Sequence, residues 1–232
     1  MIKGFRGTSL VDFPDRLAAV VFFAGCNFRC PFCYNVDLVL PERIKSLETL
    51  APEEILTQLR KREGFIQGVV ITGGEPTLSK NLLRSLLERI RTETDLAIKL
   101  DTNGSRPEVL KNLIEEGLLD YVALDLKTSP ARYAELKGDF EPVKESLTIL
   151  KEKGLPFEIR ITAVPYLVTE RDLEEMLPFL DGVPLIALQR FIAEAEILEP
   201  DRDLGLYGPE KLEELRSFLR KHVSAKVELR NV

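Results

Sequence analysis

From residue 17 onward, short apolar runs alternate with stretches in which apolar positions recur at helical spacing. The runs at 17–24, 68–73, 96–102, 121–126, 157–164, 184–191 and 226–230 are rich in Val, Ile, Leu and Phe, and they predict seven strands. Helices are predicted between them: 52–64 opening on Pro52, 79–93 capped by Ser79, 107–117 from Pro107 to Gly117, 142–153 closing at Gly154, 170–180, and 209–222 opening on Pro209. Strand and helix alternating at this spacing mean βα units on a parallel sheet. Such units either close into a barrel, with polar groups spread around a ring of strand ends, or open into a doubly wound sheet with one ligand crevice. No Ser/Gly-rich linker, composition break or short repeat interrupts the pattern, so a single domain over residues 1–232 is expected.

Composition narrows the function. Hydrophobic residues are 44% and charged residues 30%, an ordinary globular mixture that excludes disorder and fibres. The net charge is −6 with no basic block, so neither nucleic acid nor an anionic membrane surface is an expected partner. The apolar run Leu17 to Gly25 is far shorter than the roughly 20 residues of a membrane span. Phe23-Ala24-Gly25-Cys26 has the look of a lipoprotein cleavage site, but Asp12, Pro14, Asp15 and Arg16 interrupt the approach to the apolar run and two more Cys follow at once. A buried parallel strand and a cytoplasmic location with reduced thiols are the expectation.

All three cysteines of the chain lie in Cys26-Asn27-Phe28-Arg29-Cys30-Pro31-Phe32-Cys33, just past the first predicted strand. An odd number so close together cannot form a disulfide framework. Structural zinc usually takes four N or S ligands, and the one His, His222, is far away in a C-terminal helix where it reads as a surface residue. Three thiolates on one loop suit three corners of a 4Fe-4S cluster, which leaves one iron open to a substrate.

The spacing C-x-x-x-C-x-x-C, with Phe32 before the last Cys, resembles the radical S-adenosylmethionine (radical SAM) signature. The resemblance implies that Cys26, Cys30 and Cys33 hold the cluster. It also implies that the open iron chelates the methionine part of SAM, that a 5′-deoxyadenosyl radical is the product, and that Phe32 lies near the adenine; Phe28 could equally be core. Gly73-Gly74-Glu75-Pro76 follows the second strand and resembles the family's GGEP motif, which implies a contact of Gly73, Gly74 and Glu75 with the SAM ammonium. Taken alone it would be a tight turn. Asp101-Thr102-Asn103-Gly104 ends the third strand and Asp125-Leu126-Lys127 the fourth. Their ordinary readings are a turn and a solvated ion pair. In the activating enzymes of glycyl radical enzymes, which this pair of motifs resembles, the corresponding residues surround the SAM carboxylate and ribose, sometimes with a bound monovalent cation. That implies such roles for Asp101, Thr102, Asp125 and Lys127. Arg160 lies inside the apolar strand FEIRITAV, where an unpaired charge would be expensive, so it needs a partner; the resemblance offers SAM. Gln189 and Arg190 end the sixth strand, and Gln189 is taken as the one aimed at the ligand.

These groups come from the ends of successive strands, which favours the ring of a barrel over one crevice. The expected architecture is α/β, a partial (β/α)6 TIM-like barrel, laterally open, with its core at about 17–191 and a helix-strand extension over about 192–232. The opening would admit a protein loop. The N-terminal stretch Ser9-Leu10-Val11-Asp12-Phe13-Pro14 resembles the S-L-x-D-[YF]-P opening of anaerobic ribonucleoside-triphosphate reductase activating proteins, and the resemblance runs from residue 2 to about 190. It implies hydrogen abstraction from a glycine of a glycyl radical enzyme, with a flavodoxin or ferredoxin as electron donor. Three cysteines leave none for an auxiliary cluster. Tyr34 stands where many relatives carry His, and Val36-Asp37 replaces a common Pro-Glu, which leaves open a small-molecule radical SAM enzyme such as a deazapurine synthase. A non-catalytic iron–sulfur or zinc protein is the remaining alternative.

Overall fold

A computed structural model describes residues 1–192 and 196–231. The segment 193–195 and residue 232, part of the expected C-terminal extension, lie outside the described residues.

Eight strands hydrogen-bond in sequence order as one open sheet: β1 (Ile2–Ser9), β2 (Ala18–Phe23), β3 (Gly68–Gly73), β4 (Ala97–Thr102), β5 (Tyr121–Asp125), β6 (Phe157–Ala163), β7 (Leu185–Arg190) and β8 (Lys226–Arg230). Seven of them fall where the apolar runs predict. The eighth, β1, corrects the expected count: it pairs antiparallel with β2. The pairs β2 with β3, β3 with β4, β6 with β7 and β7 with β8 are parallel, as βα connections require. β1 and β8 are the two edges, so the sheet does not close.

The helices are α1 (Val36–Val39), α2 (Pro41–Ser46), α3 (Pro52–Arg60), α4 (Lys80–Glu93), α5 (Pro107–Glu115), α6 (Phe140–Lys153), α7 (Glu170–Leu180) and α8 (Pro209–His222). The short α1 and α2, which follow the cysteine loop, were not expected from the pattern. α4 shows the usual logic: Leu83, Leu86, Leu87 and Ile90 recur at helical spacing and are all buried. Ser79 precedes it without a side-chain cap, because a 3-10 turn over Pro76–Ser79 already leads in. α7 is fixed by a capping box in which Thr169 and Asp172 satisfy each other's backbone N–H.

The described residues fall into two compact units. The first comprises 1–27, 35–102 and 108–122, and the second 28–34, 103–107 and 123–232. In the first unit the β1–β2 loop drops Phe13 onto Ala18, Val20 and Val70, flanked by Phe22, Ala97 and Tyr121. In the second, Phe28, Tyr133, Phe140 and Phe179 form a chain of rings with centroids 6.0, 5.1 and 4.7 Å apart. The first and last of these contacts are edge-to-face, a geometry that adds to the burial energy.

Candidate radical SAM site

In the first unit, the end of β2 and the end of β3 are locked together through their backbones. Gly74 N donates to Phe23 O at 2.8 Å, and Glu75 N donates to Gly25 O at 2.7 Å. A Cβ on Gly73, whose φ is +125°, would lie 2.1 Å from Phe23 O; one on Gly74 would lie 2.2 Å from Gly25 O. The two glycines are therefore required by the approach of one strand end to the other, and that approach fixes the chain one residue before Cys26. Asn35 adds a tie, its Nδ2 donating to Gly73 O at 2.8 Å. Sequence reasoning missed this residue, because an Asn before a short helix reads as a cap, and here the side chain makes no cap bond.

Glu75 is 1% exposed. Its Oε1 accepts from Thr77 N at 3.1 Å, Thr77 Oγ1 at 2.5 Å and Thr102 Oγ1 at 2.8 Å, so the GGEP segment and the end of β4 meet at one buried carboxylate. Asp101 is 7% exposed and accepts at Oδ1 from Lys99 Nζ at 2.7 Å. Lys99 is a second residue that sequence reasoning missed.

In the second unit, the loop Phe28–Tyr34 is pinned by the buried Phe28 ring and by Arg29 N donating to Leu136 O at 2.7 Å. Phe28 is thus core. Cys33 N donates to Cys30 O at 3.0 Å, which turns the loop between these two cysteines. Farther along, Leu198 N and Glu199 N donate to Cys33 O and Pro31 O, each at 3.1 Å. Tyr34 stacks on Phe191 at 5.7 Å and hydrogen-bonds to both the N–H and the carbonyl of Ile192. The chain after β7 therefore straps the cysteine loop.

Beside this loop four predicted residues come together. Arg160 Nε donates to Asp125 Oδ1 at 2.7 Å, Lys127 Nζ donates to Asp125 Oδ2 at 3.1 Å, and Lys127 Nζ stands 5.9 Å from the centre of the Phe32 ring. Arg160 has the partner that its place in an apolar strand demanded. Burial would push the Asp125 carboxyl up, but the charges of Arg160 and Lys127 and their hydrogen bonds outweigh it and hold it well below the usual carboxylate range. Burial likewise opposes the Lys127 ammonium, yet Asp125 and the negative charge of the Cys30 and Cys33 thiolates hold it well above the usual lysine range. Tyr133, whose hydroxyl oxygen accepts from Lys127 N at 3.3 Å, is pushed up mainly by burial. Gln189 pairs with Thr162 in the β6–β7 ladder and so falls on the face of Arg160, two residues away. Arg190, one position on, has a buried Nε with no hydrogen-bond partner among the described residues. His222 is exposed at the end of α8, its Nδ1 2.8 Å from Phe218 O.

The sequence model of the Radical SAM superfamily matches residues 20–180. The chain belongs to this superfamily. Three comparisons refine the placement. A Methanocaldococcus jannaschii protein named provisionally as a glycyl-radical enzyme activating enzyme is 31% identical over 230 residues, covering 96% of this chain and 93% of its own. The 7-carboxy-7-deazaguanine synthase of Thermococcus kodakarensis is 32% identical over 156 residues, 60% of each chain. Among solved structures, Streptococcus suis SuiB superposes with a TM-score of 0.71 at 15% identity, over 91% of this chain. That likeness concerns the fold, and this chain spans about half of SuiB's length, 48%. The radical SAM chain is thus an α/β protein with the open sheet of that family, and an enzyme that generates a radical. No helix of the described residues is long and apolar enough to cross a membrane.

The donor set fits the family's 4Fe-4S cluster. All three cysteines are thiols rather than disulfide halves, and they are the only three in the chain, which matches a cluster with one iron left for a ligand. Lys127 supplies positive charge beside the Cys30 and Cys33 thiolates. Among the described residues no three His, Cys, Asp or Glu side chains are gathered as a preformed site for a single ion.

Proposed function

We propose that this enzyme is a glycyl radical enzyme activase: it cleaves SAM reductively and takes a hydrogen atom from a backbone glycine of a partner, anaerobic ribonucleoside-triphosphate reductase. The observation that carries SAM binding is the Phe32, Lys127, Asp125 and Arg160 constellation beside Cys30 and Cys33. It offers two cations to a carboxylate, one carboxylate to ribose hydroxyls, and an aromatic face to adenine. Glu75, buried and held by Thr77 and Thr102, offers a carboxylate for the SAM ammonium. Gln189 lies on the Arg160 face and would extend that polar lining, and Asp101 at the end of β4 would add a second carboxylate toward SAM. Cys26, Cys30 and Cys33 would hold the cluster. Bound there, the cluster supplies an electron and an open coordination position, the chemistry by which the family converts SAM to methionine and a 5′-deoxyadenosyl radical. The electron would come from a flavodoxin or ferredoxin.

The activase reading rests on the near full-length relative and on the Ser9-Leu10-Val11-Asp12-Phe13-Pro14 opening, which points to the reductase as the partner. The deazaguanine synthase relative favours a second reading, a small-molecule substrate. Deuterium separates the two. A partner reductase labelled with deuterated glycine should pass its label into 5′-deoxyadenosine; unlabelled 5′-deoxyadenosine, together with formation of a deazaguanine product, would favour the second.

A further inference from the structure

The outward side of α3 carries apolar surface and ordered charge that the radical SAM site does not use. A groove of about 600 Å³ lies between β1 and this helix, lined by Phe5, Leu50, Ile55 and Gln58. Just past the helix, the side chain of Phe65 is 61% exposed. An apolar groove with an exposed ring nearby is the kind of surface that association covers. Charge is ordered along the same segment: Glu53 and Glu54 open the helix, and Arg60, Lys61 and Arg62 stand at its end. Ile55, Leu56 and Leu59 form its buried side, so Glu54, Thr57, Gln58 and Lys61 recur on the opposite one. Glu53 is already paired with Arg89 and Arg60 with Glu93. Glu54 is exposed and spends only Oε2, on the N–H of Ala51 at 2.7 Å, and Lys61 is exposed with no side-chain partner among the described residues.

We propose that this face is where two copies of the chain associate, α3 lying antiparallel against α3, with the Phe65 ring of each copy seated in the Phe5, Leu50 and Ile55 groove of the other. The segment is its own antiparallel complement. A twofold axis between Thr57 and Gln58 sets Glu54 of one copy opposite Lys61 of the second, and by the same register brings Leu50 level with Phe65 of the second. Both grooves and both rings are used, and the acidic end of each helix meets the basic end of the other. Ring burial supplies most of the binding, while the two Glu54–Lys61 contacts fix the direction, since ion pairs at a rim contribute little. The inference concerns α3 and β1 alone and does not depend on the SAM-binding reading.

The test is sedimentation equilibrium of the full-length, anaerobically reconstituted protein, joined to a cross-link that reads the register. The wild type should be a dimer at about 0.1 mM and dissociate on dilution through the micromolar range. Phe65→Ser should weaken association roughly tenfold or more, through loss of the seated ring. Lys61→Glu, which sets acid against acid, should also weaken it, and adding Glu54→Lys to that variant should restore it. Carbodiimide coupling of a mixture of light and heavy-nitrogen protein should join Glu54 of one isotope to Lys61 of the other, as peptide mass spectrometry would record. A wild type that sediments as a monomer throughout overturns the proposal, as does a dimer that Phe65→Ser leaves intact or one whose light-to-heavy links avoid α3. The cross-link is read on the unaltered chain, so it decides even where a variant fails to fold.

Discussion

Asp125 accepts from two cations at once, and removing its charge has a calculable effect. Asp125→Asn would remove the carboxylate charge that Arg160 and Lys127 share, which should cost about 3 kcal/mol, read as a lower urea midpoint near neutral pH. The pH dependence follows from the sign of the shift. A carboxyl held below its unfolded value stabilises the fold fully above that value, about 3.9, and loses its contribution as the pH falls toward the folded value. The wild type should therefore lose stability on acidification below about pH 4, and the Asn variant should show a flatter acid limb. Lys127→Met makes a second test on the cluster-free protein: with the cation gone, Cys30 and Cys33 should be alkylated more slowly by iodoacetamide at neutral pH, as peptide mass spectrometry would record, since a nearby cation favours thiolate. Residues of this kind were largely legible in the sequence. A charge inside an apolar strand announces a need for a partner, and Arg160 finds one in the residue two positions before Lys127. The same signal stands at Lys99, between Ile98 and Leu100. Its meaning stays hidden because one of its partners is a backbone carbonyl 87 positions earlier, which no side-chain pattern betrays.

Elements were legible where burial on both faces writes a continuous apolar run, as in Ala18–Phe23 and Val69–Ile71. β1 was not, for a physical reason. It is an edge strand with Gly4 and Gly7 in its middle and polar Lys3, Arg6 and Thr8 among its side chains, so neither period-2 alternation nor a β-branched run marks it. The glycine pair of the GGEP segment is legible as a close approach, and the structure names what is approached: the backbone of Phe23 and Gly25. Gly73→Ala puts a Cβ 2.1 Å from a carbonyl oxygen in a backbone conformation that L residues rarely adopt. It should cost about 3 kcal/mol or more, combining strain with the displaced strand end, and should be visible as a lower thermal midpoint and poor cluster reconstitution. Phe28→Ala removes the ring that anchors the cysteine loop onto Tyr133 and should cost about 3–5 kcal/mol by the same measurement. A wild-type midpoint in either variant would contradict the assigned packing.

On the scale of the whole molecule, the sheet runs from an antiparallel edge at β1 to a parallel edge at β8 without closing, and no cysteine lies outside the one loop. The fold class and the membership of the radical SAM superfamily were legible because the βα alternation is regular and a three-cysteine spacing is specific. The radical acceptor was not, because relatives named for different activities match this chain at nearly the same identity, 31% and 32%. The decisive measurement is electron paramagnetic resonance of the anaerobic mixture of reduced, reconstituted enzyme, SAM and the anaerobic ribonucleotide reductase of the same organism. A glycyl doublet that needs both SAM and the enzyme, and that disappears with Cys30→Ala, is the predicted result. SAM cleavage to 5′-deoxyadenosine by the same mixture with no glycyl doublet would contradict the activase assignment.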